Sequence, residues 1–310
     1  MYHRVLPEKK TDGIQAGMYV KSKIFEAHLT FLKKHFKIIS LSELFTYPPP
    51  PPLKKEEKKQ KPWCILTFDD GWYDFYEYAF PLLKEFQAPA TVFLPTDFIG
   101  TNKWFWTDRL AEIFLQKHKI TPPIPPLVKG GLREVIEKLE NLKGSLESRL
   151  ERAIEILKAY REEEIEEILS ALSVRRNIDQ ALPNRAFLSW EELREMAQSG
   201  LISFGSHTAT HRILTTLKDE EIWDELTRSK KKLIAEKVVD SSFIPFSYPN
   251  GNYNEKIAKM VKEAGYSLAV TTENGWNHFG SDPFTLKRIG IHQDISYTEA
   301  MFGCRIINLF

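Results

Sequence analysis

The sequence has little of what would announce a function directly. Two cysteines occur in 310 residues, Cys64 and Cys304, with neither the CxxC spacing of a metal knuckle nor the density of a disulfide framework. Lys and Arg (43) almost balance Asp and Glu (42), and the net charge of +1 gives no global field toward nucleic acid or an anionic membrane. No run of eighteen apolar residues occurs, which excludes a simple membrane-spanning helix. The opening residues, MYHRVLPEKKTDG, have no apolar leader core, so the expected location is cytoplasmic. No internal repeat is visible.

What is present is ordinary globular composition, 42% hydrophobic and 27% charged, in a chain long enough for one large domain or two small ones. Strand signals fall at Tyr2–Leu6, Ile38–Leu41, Cys64–Phe68, Ala90–Pro95, Leu201–Gly205, Phe243–Tyr248, Tyr266–Thr271 and Leu286–Ile291. Between them, Phe25–Phe36, Asp74–Phe86, Asp219–Glu236 and Glu255–Ala264 have helical spacing, and Ser189 with Glu192 has the pattern of a capping box. Such alternation predicts an α/β fold with a parallel sheet. Two stretches interrupt it. Pro48–Pro52 and the lysine-rich Lys54–Lys61 read as an extended, solvated loop. Beyond the proline-broken Thr121–Pro126, residues Leu132–Leu172 carry no strand signal and read as two or three amphipathic helices. The expected organisation is a single catalytic domain over 1–310 with a helical insertion at 108–185.

Four strand-like runs end in chemically capable residues: Asp69-Asp70, then Ser206 to His211, then Tyr248-Pro249-Asn250-Gly251, and finally Arg288. In parallel α/β folds, functional residues gather at the carboxyl ends of strands. Adjacent carboxylates at such an edge are costly unless a cation or a division of roles separates them. His207 and His211 are four apart, so one helical turn would point both imidazoles to the same side. One aspartate oxygen would complete the His₂-carboxylate set of a catalytic metal site, the other aspartate standing ready to take a proton. The competing reading makes one aspartate a helix cap and leaves both histidines on the surface.

Thr67-Phe68-Asp69-Asp70-Gly71, Ser206-His207-x-x-x-His211 and Tyr248-Pro249-x-Gly251 resemble, in order and separation, the first three motifs of the polysaccharide deacetylase (NodB-homology) family. The flanks Tyr2-His3-Arg4-Val5 and Pro89-Ala90-Thr91-Val92-Phe93 agree, and the resemblance runs from Tyr2 to about Ile291 outside the helical insertion. It implies a distorted (β/α) barrel with its site at the carboxyl ends of the strands. It also implies Asp69 as general base, Asp70, His207 and His211 as ligands of a divalent metal (usually zinc), and the Tyr248 backbone N–H facing the oxyanion. Cobalt or manganese would accept the same ligands. The sequence departs from the pattern twice. Many members carry arginine where Ser247 stands, and Arg288 is the candidate for that supporting role. The late histidine that protonates the leaving amine has no clear match; His292 is the candidate, ahead of His278 and His3.

Sugars stack their C–H faces on flat rings, so Trp106 and Trp276, with Pro249, are the expected substrate contacts, although seven tryptophans are also ordinary core material. The expected activity is metal-dependent removal of N-acetyl groups from an N-acetylhexosamine-containing glycan, with no nucleic-acid partner. Hydrolysis of a small non-sugar amide or cyclic C–N bond, or a non-catalytic carbohydrate-binding role, are the alternatives on the same fold.

Overall fold

In the computed structural model, residues 1–9, 14–46, 61–115, 130–176 and 185–307 are described; the Pro48–Pro52 run, most of Lys54–Lys61 and Thr121–Pro126 lie outside them. The chain divides into two compact units, one of residues 1–10, 16–101 and 186–310, the other of residues 11–15 and 102–185. The helical unit thus begins at residue 102, ahead of the boundary read from the sequence.

The first unit is built on parallel strands. β1 (Arg4–Leu6) pairs with β2 (Tyr19–Lys21), and β3 (Lys37–Ile38) with β4 (Trp63–Cys64). The main sheet runs in the order β5 (Leu66–Phe68), β6 (Ala90–Leu94), β7 (Ile202–Ser206), β8 (Pro245–Ser247), β9 (Leu268–Val270), all parallel. Every residue of β5, β6, β8 and β9 is buried, which is why these strands read as unbroken apolar runs rather than alternating ones. The sheet is distorted where β7 meets β8, whose pairing rests on Ser206 and Phe246 alone.

Its two edges meet. Tyr2 bridges Phe68 on one side, Leu286 bridges Val270 on the other, and Met1 joins them through its ammonium to Ile289 O (2.9 Å) and its carbonyl to Ile291 N (2.9 Å). The two edges are thus linked through the first residues of the chain, and the parallel sheet is curled into a half-barrel of the (β/α) type. Of the strand expected over Leu286–Ile291, the ladder retains only the Leu286 bridge.

Helices connect the strands. α1 (Ser22–His35) buries Phe25, His28, Leu29 and Leu32; the short α2 (Glu43–Thr46) precedes β4. The segment after β5 enters through a π-helical turn, Phe75–Ala79, before α3 (Phe80–Phe86). In the helical unit, α4 (Trp106–Leu115), α5 (Gly130–Glu140), α6 (Leu146–Leu157) and α7 (Glu162–Arg175) share one apolar core that includes Leu110, Ile136, Leu157, Ile168 and Leu169. α5, α6 and α7 overlap the Leu132–Leu172 stretch read as two or three amphipathic helices, and α4 precedes it. The barrel unit resumes with α8 (Trp190–Gln198), opened by the Ser189–Glu192 capping box, then α9 (Asp219–Ala235), α10 (Glu255–Glu263), α11 (Gln293–Ser296) and α12 (Glu299–Ile306). Among the described residues, no helix is long and apolar enough to cross a membrane.

Candidate metal centre and active site

β5 delivers Asp69, Asp70 and Gly71 into a turn in which Asp70 (φ 74°) and Gly71 (φ 65°) are both left-handed. Asp tolerates that region; at Gly71 a Cβ would also lie 2.7 Å from Leu94 Cδ2, so only glycine fits. β7 delivers Ser206 and then the segment His207–His211. This is no helical turn, contrary to the reading of its spacing. Thr208 (φ 65°) and His211 (φ 63°) are left-handed, strained conformations of about 1–3 kcal/mol each that survive only when surroundings impose them. The turn after β6 does part of that, with Thr96 N donating to Thr208 O (3.2 Å) and Asp97 N to Ala209 O (2.9 Å).

The loop brings His207 Nε2 to 3.5 Å and His211 Nε2 to 3.2 Å from Asp70 Oδ1. One ligand atom from each of the three residues lies within 4.8 Å of the others. Asp70 Oδ1 is buried and has no hydrogen-bond partner, while Oδ2 accepts from Trp72 Nε1 at 3.0 Å. An orphaned buried acceptor facing two imidazoles is the arrangement a divalent cation completes. The tautomers agree. His207 Nδ1 lies 2.8 Å from the Ser247 carbonyl, which can only accept, so the proton sits on Nδ1 and Nε2 keeps its lone pair for a cation. Burial pushes His207 down to about 4, keeping it in the neutral, ligating form. Burial alone would raise Asp70, but the imidazoles of His211, His3 and His207 hold it well below the usual carboxylate range.

Asp69 is held by a cation of the chain itself. Arg288 grips it bidentately, Nη1–Oδ1 and Nη2–Oδ2 both at 2.7 Å, and is itself fixed by Thr271 O (2.7 Å) and Ser247 Oγ (3.1 Å). Burial would raise the Asp69 carboxyl, but Arg288 and His207 bring it down to about 2. Asp69 is therefore ionised at neutral pH, and Arg288 occupies the supporting position left by Ser247.

Other expected site residues are engaged in their own contacts. The Tyr248 N–H donates to Val270 O (3.3 Å) within the sheet, so it is not a free oxyanion donor; its hydroxyl bonds Phe284 O (2.9 Å). Pro249 is buried at the head of a 3₁₀ turn, where it shapes the chain rather than offering a face to substrate. His292 precedes α11, and its Nδ1 pairs with Asp294. Trp106 packs on the core of the helical unit. Trp276 is 48% exposed but donates to Ile306 O and packs on Phe36, which enters β3 at its amino end. Its neighbour Asn277 bonds both the N–H and the carbonyl of Lys287.

The residue underrated from sequence is His3. Tyr2 pairs beside Asp69, with Asp69 N donating to Tyr2 O (3.0 Å), which sets the next residue at the rim of the site. Burial pushes the His3 imidazole down, against the upward pull of Asp70 and Asp69 nearby. The only sequence signal was its place in the first strand of the resemblance.

With this geometry in place, the comparisons are informative. The sequence model described as polysaccharide deacetylase matches residues 56–128 and 144–269. YxkH of Bacillus subtilis (strain 168), a candidate polysaccharide deacetylase by name, is 32% identical over 129 residues, which span 42% of this chain and 44% of that relative. The chain therefore spans less than half the length of this curated relative. Among solved structures, Streptococcus pyogenes deacetylase PplD, determined with acetate, has a TM-score of 0.58 at 21% identity, covering 95% of this chain and 92% of that one. IcaB from Ammonifex degensii has a TM-score of 0.58 at 18% identity, covering 98% and 94%. At these identities the structural likeness speaks to the fold, and the fold is the same.

Proposed function

The chain belongs to the polysaccharide deacetylase family, and from that premise we propose that it hydrolyses the acetamide of an N-acetylhexosamine-containing glycan, using a divalent metal held by Asp70, His207 and His211 and Asp69 as general base. A bound cation would act as a Lewis acid, making water acidic near neutrality and polarising the acetyl carbonyl; zinc suits the ligand set best, with cobalt and manganese acceptable. The remaining work falls to the chain. Asp69, ionised and clamped by Arg288, accepts the proton of the attacking water at a carboxylate oxygen, a contribution of typically 10²–10⁴-fold. Trp72 occupies Asp70 Oδ2, leaving Oδ1 for the cation. The Ser247 carbonyl keeps the His207 proton on Nδ1. His3, rather than His292, passes a proton to the departing nitrogen, one it must first take up during the reaction because burial pushes its imidazole down. All of these residues belong to the barrel unit.

One observation carries the reading: a buried, unpartnered carboxylate oxygen between two imidazoles, beside a second carboxylate fixed by arginine. The test is acetate release from N-acetylglucosamine oligomers by the metal-loaded protein, with metal content measured in parallel. Acetate release that disappears in Asp69→Asn is expected. Protein that takes up no divalent metal and releases no acetate from any such oligomer or polymer would end the proposal.

A further inference from the structure

We propose that Glu225 is a positioning residue of the metal site: its buried carboxylate imposes the left-handed course of the His207–His211 loop that carries both imidazoles to Asp70. The proposal rests on the metal-dependent reading above. Glu225 projects from α9 and is only 3% exposed. Its Oε2 accepts the N–H groups of Ala209 (2.9 Å) and Thr210 (2.8 Å), and its Oε1 accepts the Thr210 hydroxyl (2.5 Å). Ala209 and Thr210 are two of the three residues between the histidines, so one carboxylate holds the loop at its centre. Without it, two backbone donors at the turn would lose their acceptor, which a buried backbone does not tolerate cheaply.

The need for such a hold is visible in the loop itself. Thr208 is β-branched and left-handed, and His211, a proposed ligand, is left-handed too. Neither conformation is a local preference, so an outside group must select it. α9 supplies a second tie nearby, Ser229 Oγ to Ser206 Oγ at 2.6 Å, with Ser206 Oγ accepting from Thr208 N (3.2 Å). Glu225 is in turn approached by Arg228 at 3.6 Å, and Arg228 also pairs with Asp97, whose N–H holds Ala209. Glu225 is not among the residues that could share a cation with Asp70. It acts on the ligands only through the backbone that carries them.

The test measures Zn²⁺ affinity of the full apo-protein by competition with a chromophoric chelator, and the visible absorption of the Co²⁺ form, which reports ligand geometry. Circular dichroism and the apo unfolding midpoint confirm that each variant is folded. Glu225→Leu keeps bulk but removes the acceptors, and its Zn²⁺ affinity should fall about 10–100-fold, with an altered Co²⁺ spectrum. Glu225→Gln can still accept both N–H groups on its one carbonyl oxygen and donate to the Thr210 hydroxyl, and should keep most of the affinity. A folded Glu225→Leu that binds zinc as wild type does would overturn the proposal. So would a folded Glu225→Gln with the wild-type spectrum lost, because charge rather than acceptor geometry would then be responsible. If Glu225→Leu does not fold, the Gln variant still decides. Wild-type protein that binds neither metal would instead overturn the metal-dependent reading itself.

Discussion

Arg288 holds both oxygens of Asp69 at 2.7 Å, although the two residues are 219 positions apart. Burial acting alone would push the Asp69 carboxyl above its ordinary value of 3.8; the guanidinium reverses the sign and brings it to about 2. A carboxylate whose folded pKa is depressed stabilises the fold above its unfolded value and loses that contribution as pH falls through the folded one. Between these two values, the native protein should lose stability on acidification.

Replacing Arg288 by Gln removes the largest downward influence on Asp69 and leaves a buried carboxylate without its cation. Its pKa should rise, and a base that must be ionised then works only at higher pH. The acid limb of the kcat/KM profile should therefore move upward in pH. Stability should fall by about 3–5 kcal/mol, read from denaturant unfolding, because one partner of a buried pair is gone. An unshifted acid limb in a folded Arg288→Gln protein would contradict the assignment of Asp69 as base.

Asp69→Asn and Asp70→Asn should separate base from ligand. Asp69→Asn should lose at least about 10²-fold in acetate release while keeping its metal. Asp70→Asn should lose metal and activity together, since Oδ1 is the oxygen facing both imidazoles. Elemental analysis of the two purified variants, beside rate measurements, distinguishes these outcomes.

Trp72→Phe tests whether the indole matters as a ring or as a donor. The ring stacks on Phe187 at 4.7 Å and under Arg4 at 4.3 Å, contacts a phenyl group largely retains. The Nε1 donation to Asp70 Oδ2 is lost. Metal affinity should drop about 10-fold or more, the usual penalty for removing a partner of a ligand, with little change in unfolding midpoint. Chelator competition gives the first quantity and calorimetry the second.

How much of this was legible in sequence depended on whether the information was local. The strands of the sheet announced themselves because burial on both faces writes continuous apolar runs, and Asp69, Asp70, His207 and His211 stood at their ends. The His-x-x-x-His spacing suggested a helix, whereas two left-handed residues achieve the convergence instead. Arg288 could be seen as a polar strand end and, through the resemblance, as the support of the catalytic aspartate; the bidentate geometry of its grip on Asp69 could not. Glu225 left a trace that only burial explains, an acid on the apolar stripe of Ile222, Leu226 and Leu233. Trp276 and Trp106 pack on Phe36 and on the core of the helical unit, a use of tryptophan as ordinary as sugar stacking. Tyr248 misled because its N–H belongs to the sheet ladder, which no motif records.

The last prediction concerns the proton given to the leaving group. An acetamide releases a poor leaving group, an amine that must be protonated as the C–N bond breaks, so the reaction needs an acid at the rim. His3 follows Tyr2, whose carbonyl accepts from Asp69 N, whereas His292 is engaged with Asp294 at the start of α11. His3→Gln should therefore reduce acetate release from N-acetylglucosamine oligomers by about 10²–10⁴-fold in kcat. The same variant should hydrolyse 4-nitrophenyl acetate nearly as well as wild type, because nitrophenolate leaves without a proton. Metal content should be unchanged, since His3 is not one of the three residues that converge on the cation site. His292→Gln should leave both reactions close to wild type. If instead His292→Gln is the variant that loses amide but not ester hydrolysis, the proton comes from the end of the barrel sequence after all, and His3 serves only to pack the rim.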